Sequence, residues 1–257
     1  MSIHSTAVVH PKTDIAKDVV IGPYTVIGED VILASEVKIG SHCVIEGRTS
    51  IGKGCEVFTG AVIGSIPQDK KFKKDEKTYL EIGEYNIIRE YVTMNPGTGD
   101  GGKTKIGDHN LFMAYSHVAH DCVVGDHCTL ANVGTLAGHV TLEDYVVIGG
   151  LTAIHQFVRL GRFSIVGGCS KVVQDIPPFS TCDGHPARVY GLNLVGLKRS
   201  GFKPDTVRLL KQAFKILFFS QLTKTKAVEE IKSQISSTPE IEHLLHFVQT
   251  SQRGLCS

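Results

Sequence analysis

His120 and Asp121 adjoin, and His117 stands three residues earlier in the run Ser116-His-Val-Ala-His-Asp-Cys122. Eighteen residues after His120 comes Gly138, followed by His139; eighteen further on comes Gln156, preceded by His155. An imidazole beside a backbone N–H is a usable catalytic pair. The ring takes a proton as general base, and the N–H stabilises an oxyanion. A histidine standing alone reads as an ordinary surface residue. His120 has company: the His-x-x-His-Asp run, the Gly-His and the His-Gln share one spacing. His109 and His127 lack such company and read as solvent-facing, without a role.

That spacing has meaning because of the chain around it. From Ile106 to Pro177 the sequence divides without a gap into twelve groups of six, beginning at Ile106, Phe112, Val118 and so on to Val172. An aliphatic residue, once Phe, opens every group, and small or slender residues recur at the second and fifth places. This is the hexapeptide repeat of a left-handed parallel β-helix. Neither a helix of period 3.6 nor a lone strand of period 2 sustains it. Three hexads make one triangular coil, so residues 18 apart stack on one face. The Gly138 backbone then lies about one strand spacing, ~4.8 Å, from His120. In the next column, Ala119 and Ala137 lead to His155, so these residues crowd one edge of the prism.

Hexads also run from Ile3 to Val57. Gly22, Gly28, Gly40 and Gly52 follow their opening aliphatic residues, where glycine is expected to ease a tight corner. The repeat breaks after Gly64 into a polar stretch near 65–80 with Lys70, Lys71, Lys73, Lys74 and Lys77. An insertion in a solenoid leaves the stack as a surface loop. This one reads as a flap carrying cations toward an anionic ligand. A second, shorter loop is expected near 99–105. Pro177-Pro178 ends the coils, because proline cannot donate to the ladder. The following FSTCDGHPARVYGLN reads as a connector. Beyond it, helices are expected through VRLLKQAFKILFF and AVEEIKSQI, and a third from Thr238 as N-cap with Pro239 at the first helical position. The fold class is thus mainly β: a left-handed β-helix over 1–190 and a small α-helical part over 191–257.

A chain of 257 residues with 42% hydrophobic residues and net charge +1 is long enough for a full core and gives no reason to invoke nucleic acid. No apolar run reaches the ~18 residues of a membrane span. The N-terminus shows no basic segment followed by an apolar one, so a cytoplasmic location is expected. Cys43, Cys55, Cys122 and Cys128 occupy fifth places, and there is no CxxC. They read as small buried hydrophobes in a reducing compartment.

The longer strings are more specific than the repeat. SHVAHDC (116–122), LAGHVTLEDYVVIGG (136–150), AIHQF (153–157), VGGCSKVVQDIPP (166–178) and GLKRSGF (196–202) closely resemble the bacterial UDP-N-acetylglucosamine acyltransferases that open lipid A biosynthesis. The resemblance covers essentially the whole chain. It implies a homotrimer that moves a fatty acyl group, usually (R)-3-hydroxyacyl, from acyl carrier protein to the 3-hydroxyl of UDP-N-acetylglucosamine, with no metal and no cofactor. It makes His120 the general base, Asp121 the group that orients or polarises it, and the Gly138 N–H the oxyanion donor. Gln68-Asp69-Lys70-Lys71 looks like the family's Gln-Asp-x-Lys, in which Asp69 would hold the sugar and Lys71 an anionic group. By the same matching His117, His139, His155 and Gln156 line the nucleotide-sugar and acyl pocket. Asn193 and Arg199 contact the uridine diphosphate end or the carrier's phosphopantetheine. Gly168 marks the closed end of the acyl groove, where a missing side chain leaves room for ~14 carbons rather than ~10. Val195 and Ser200 depart from the Glu-Gly-Leu-Lys-Arg-Arg of some relatives. Met94-Asn95-Pro96-Gly97 is less polar than the family pattern.

Three rivals compete. The N-acyltransferase of the same pathway carries a separate N-terminal domain, and hexads from Ile3 leave no room for one. A γ-class carbonic anhydrase-like hydratase needs three convergent histidines on zinc. On a continuous strand His117 and His120 would point to opposite faces. A non-catalytic trimeric scaffold would keep its fold without activity.

Overall fold

Each hexad folds as a two-residue strand and a corner. The opening aliphatic residue points inward: Ile21, Ile27, Leu33, Ile45, Phe112, Leu130, Leu136 and Ile148 are all buried. The strand residue before it points outward, so a pair such as Val26–Ile27 is exposed then buried. The computed structural model describes residues 2–73 and 75–256; Lys74 of the lysine-rich loop lies outside them. Among the described residues three sheets of 11, 9 and 8 strands form the faces of a left-handed prism. Every coil-to-coil pairing is parallel, and Ser2 pairs with Val20 while His117 pairs with Thr135, the expected spacing of 18. Both loops are visible as register jumps. Ile51 pairs with Ile82 across the first, and Ile82 with Ile106 across the second.

The corners correct one expectation. The left-handed backbone falls at the fourth place of the hexad, not the second, and side-chain-bearing residues occupy it: Tyr85, His109, His127, Tyr145 and Phe163 have φ between 53° and 60°. L-residues visit this region at a cost. Stacking offsets it here, because the corner rings pile up at centroid distances of 5.2, 5.0, 4.7 and 4.5 Å along the coils. His109 and His127 are rungs of that ladder. The second-place glycines answer to close approach instead: a Cβ on Gly22 would lie 2.7 Å from the Gly40 carbonyl. On Gly52 it would overlap the Gly83 carbonyl. Gly52→Ala is therefore expected to cost about 1–3 kcal/mol as overpacking between coils, which urea unfolding would measure.

Where the fifth place carries a hydroxyl or a thiol, several of these groups donate to a carbonyl of the next coil. Thr25 Oγ1 donates to Gly40 O at 2.7 Å and Cys43 Sγ to Phe58 O at 3.1 Å. Cys55, Cys122 and Cys128 do the same for Gly83, Ala137 and Glu143. The thiols of Cys43, Cys55, Cys122 and Cys128 are free and buried.

The segment expected as a connector is an antiparallel hairpin, Ser180–Gly184 with Ala187–Leu192, turning at a cis His185–Pro186 bond. Its first strand extends the 11-stranded sheet. The proposed division at 190 falls inside the second strand, which carries the chain from coil to tail. Among the described residues four helices follow: α1 (Leu194–Arg199), α2 (Pro204–Phe219), α3 (Lys224–Gln234) and α4 (Pro239–Thr250). Thr238 caps α4 as expected, accepting from Ile241 N. Phe163 and Phe179, at the end of the corner ladder, pack into the tail's core with Leu197, Leu210, Phe214 and Leu244. Among the described residues no helix is long and apolar enough to cross a membrane.

Candidate active site

The site sits at the corner after strand His117–Val118, where the chain leaves the 9-stranded sheet for the 8-stranded one. Asp121 holds the left-handed fourth place, φ 59°, and its N–H donates to Thr104 Oγ1 at 2.8 Å. His139 N donates to His120 O at 3.0 Å, tying the same corner to the next coil. The backbone on both sides of the pair is therefore fixed.

His120 Nδ1 lies 2.8 Å from Asp121 Oδ2, with side-chain exposures of only 18% and 13%. Burial pushes the Asp121 carboxyl up, but hydrogen bonds from Thr98 and His120 outweigh it, holding the group below its ordinary value. An ionised carboxylate only accepts, so the proton of this bond is on Nδ1. In the neutral ring Nε2 then carries the lone pair and is the basic atom.

That basic edge overlies Gly138. A Cβ there would meet His120 Cε1 at 2.5 Å and Nε2 at 2.7 Å. The register places Gly138 beside His120 and Gln156 beside Gly138, the column read from the spacing. Among the described residues no acceptor takes the Gly138 N–H, whereas its carbonyl accepts from Phe157 N at 3.1 Å. An unprotonated imidazole nitrogen next to an uncommitted backbone donor is what attack on a carbonyl requires.

His117 differs from its expected orientation. Strand His117–Val118 is two residues long, so the alternation of a continuous strand does not reach His120. Burial, with the nearby His120, lowers the His117 pKa, against a raising contact with Thr93. The ring is close enough to feel His120, and its Nδ1 lies 2.6 Å from Thr93 Oγ1. His139 stacks on Phe157 at 4.5 Å and meets His120 edge-on at 5.2 Å. Its Nε2 is 3.6 Å from Asp121 Oδ2. Gln156 is exposed in the His120 column and His155 in the adjoining one, with His155 Nδ1 3.2 Å from Gln156 O. Cys122 is no rival nucleophile, because burial pushes its thiol up to about 12.

His120, Asp121 and His139 offer one ligand atom each within 4.8 Å, a set that could hold a divalent ion. Asp121 Oδ2 is already engaged by His120 and by the Thr98 hydroxyl, at 2.8 and 2.6 Å. The Asp121 carboxylate of this set is thus satisfied within the chain.

The remaining residues lie elsewhere. Gln68 and Lys71 are exposed on the first loop, and Asp69 Oδ1 accepts from Lys71 N at 2.9 Å. Asn193 is spent as the cap of α1: its Oδ1 accepts from Gly196 N and its Nδ2 donates to Phe163 O, both at 2.9 Å. Arg199 is exposed at the end of α1. Gly168 follows strand Ile165–Val166 of the 11-stranded sheet, on a different edge of the prism from His120. Sequence reasoning missed Thr98, which donates to Asp121 through both its N–H and its hydroxyl. Its signal was a threonine between glycines in the second loop, a place with no repeat to give it an address.

Comparison with known proteins now has a site to bear on. Residues 175–256 match the family described as "Udp N-acetylglucosamine O-acyltransferase; Domain 2", and 103–133 match the bacterial transferase hexapeptide. The acyl-[acyl-carrier-protein]–UDP-N-acetylglucosamine O-acyltransferase of Thiobacillus denitrificans is 48% identical over 255 residues, covering 99% of this chain and 98% of that one. This chain belongs to the UDP-N-acetylglucosamine O-acyltransferase family. The solved structure of LpxA from Acinetobacter baumannii superposes with a TM-score of 0.96 at 43% identity, covering 99% of each chain. The acyltransferase of Bacteroides fragilis gives a TM-score of 0.97 at 36% identity, over 99% of this chain and 100% of that one. The likeness to this acyltransferase family extends through both loops and the helical tail, and the comparisons favour none of the rival readings.

Proposed function

We propose that this protein transfers a fatty acyl group, a 3-hydroxyacyl chain by family resemblance, from an acyl-carrier-protein thioester to the 3-hydroxyl of UDP-N-acetylglucosamine. This is the first step of lipid A biosynthesis. The observation that carries the reading is the Asp121-oriented His120 with its Nε2 over the Gly138 backbone. His120 Nε2 takes the sugar hydroxyl's proton as the oxygen attacks the thioester carbonyl. The Gly138 N–H stabilises the oxyanion. The C–S bond then breaks, and the leaving thiolate recovers the proton from the imidazolium. Asp121 stays ionised and balances the charge that forms on the ring.

His139 meets the His120 ring edge-on, and with His117, His155 and Gln156 it is assigned to the sugar and acyl pocket. Asp69 and Lys71 of the first loop are assigned, with Gln68, to the sugar and an anionic group. Asn193 is assigned with Arg199 to the uridine diphosphate or phosphopantetheine end. Its amide is internally bonded, so its role there is to hold α1 in place while Arg199 makes the contact.

Gly168 closes the acyl groove. His120 and Gly168 sit on different edges of one prism, so a groove joining them takes one edge from each of two copies. Outward Val20, Val26, Ile32 and Val123 leave the faces apolar enough to pack. A cytoplasmic homotrimer satisfies both requirements.

Incubating the protein with UDP-N-acetylglucosamine and a panel of acyl-carrier-protein thioesters tests the reaction directly. O-acylated product is expected, and no transfer from any donor would sink the reading. Gly168→Leu is expected to shift preference toward shorter chains by several carbons. Gly168 φ lies outside the left-handed region and the nearest atom to an added Cβ is Gly150 O at 3.2 Å, so a side chain fits once that carbonyl gives by a few tenths of an ångström. Unchanged chain preference would remove Gly168 from the groove.

A further inference from the structure

The second loop is placed where an interruption of the coil is least expected to be idle. It leaves the stack after Met94 and rejoins it at strand Lys103–Ile106, and between them it turns Thr98 onto Asp121. Thr98 N donates to Asp121 Oδ1 at 3.0 Å, and Thr98 Oγ1 donates to Oδ2 at 2.6 Å. With His120 Nδ1 on Oδ2, both carboxylate oxygens are occupied and the plane of the group is fixed.

Thr98 is itself held. Added Cβ atoms at Gly97 and Gly102 would overlap Gly102 with Lys103, and Thr98, respectively. Only glycine at those two places lets the loop fold so tightly. Gly97 N donates to Tyr79 O at 3.2 Å, and Gly102 N to Gly99 O at 2.9 Å. The first loop braces the second: Glu76 Oε2 accepts from Gly99 N at 3.0 Å, and Gly101 N donates to Lys77 O at 2.8 Å. A chain of bonds therefore runs from the first loop through the second to the base.

We infer that Thr98 is a positioning residue for acyl transfer: its paired donors lock the Asp121 carboxylate in the orientation that holds His120 Nε2 over Gly138. The inference rests on His120 as the base. Thr98 itself touches neither sugar nor thioester. Its hydroxyl matters because without it His120 Nδ1 is the one remaining partner of Oδ2 among these bonds, so nothing fixed to the backbone holds that oxygen in place, and a misplaced base loses rate steeply. A bare threonine packed against the corner would serve shape alone, and the two roles are separable.

Thr98→Val keeps the shape and removes the hydroxyl; Thr98→Ser keeps both donors and drops the methyl. Thr98→Val is expected to lower kcat at least about tenfold with KM for UDP-N-acetylglucosamine near the wild-type value, and Thr98→Ser to restore most of it. The Asp121 carboxyl should also titrate at higher pH in Thr98→Val, as read by carboxyl-carbon NMR. The hydroxyl stabilises the charged carboxylate, so its loss lets Asp121 protonate at higher pH. Proton NMR gives a readout independent of turnover. A downfield His120 Nδ1–H signal is expected in wild type and Thr98→Ser, and broadened by exchange with water in Thr98→Val. A folded Thr98→Val with wild-type kcat, Asp121 titration and Nδ1–H signal would overturn the inference. So would a Thr98→Ser as impaired as Thr98→Val, which would make the methyl the active part. A wild type that transfers no acyl group, yet shows the Nδ1–H signal and its loss in Thr98→Val, would overturn the reaction and leave the positioning role standing.

Discussion

Replacing His120 by alanine is expected to lower kcat/KM for acyl transfer by about 10²–10⁴-fold, the usual contribution of a positioned general base. Folding should survive. The ring lies outside the aliphatic core, half-buried at the corner, and the strands on either side keep Val118 and Val124 inside. Asp121 would retain both donors from Thr98, so no bare charge is left in the corner. The vacated space over Gly138 is bounded by that carboxylate and should accept a free imidazole. Partial rescue by added imidazole is therefore expected, and its absence in Asp121→Ala/His120→Ala would show that the carboxylate holds it. Steady-state transfer assays beside thermal unfolding make the measurement. A variant with the wild-type rate would remove the base assignment while leaving the family untouched.

Gly138→Ala should be nearly as damaging, for a different reason. The N–H remains, so the oxyanion donor is not deleted. The new Cβ would stand 2.5 Å from His120 Cε1 and 2.7 Å from Nε2, inside van der Waals contact. The ring cannot simply slide away, since Nδ1 is bonded to Asp121 at 2.8 Å and Asp121 is held by Thr98 and Thr104. Either the imidazole tilts off its carboxylate or the coil spacing opens. A displacement on the order of 1 Å costs about 10²-fold in rate. The loss should appear in kcat with little change in substrate KM. A thermal midpoint within a few degrees of wild type would separate this from unfolding, because Gly138 φ is not left-handed and alanine meets no backbone strain. Wild-type kcat in Gly138→Ala would mean that the reacting edge of His120 lies elsewhere.

How far the sequence alone reaches can be judged at particular residues. The hexads placed Leu130, Leu136 and Leu142 in the core and gave the His120–Gly138–Gln156 column, because a buried aliphatic every six residues admits one register. Thr238, followed by Pro239, announced α4 for an equally local reason. The hairpin at 180–192 went unread because its pairing depends on the last coil's free edge, which no short pattern encodes. The left-handed corners were assigned to the wrong place, since glycine is the usual sign of positive φ and here rings take it by stacking across coils.

The sequence by itself determined the solenoid, its spacing of 18, the break points and the placement of His120 beside the Gly138 backbone, all of which follow from period and local propensity. Tertiary structure alone decided that Thr98 clamps Asp121, that His117 lies near His120, that Asn193 caps α1, and that Gly168 occupies another edge. Those contacts join aperiodic loops and corners to residues far along the chain. Nothing in a local pattern fixes where a glycine-rich loop lands; packing and the demand of a buried carboxylate for donors do.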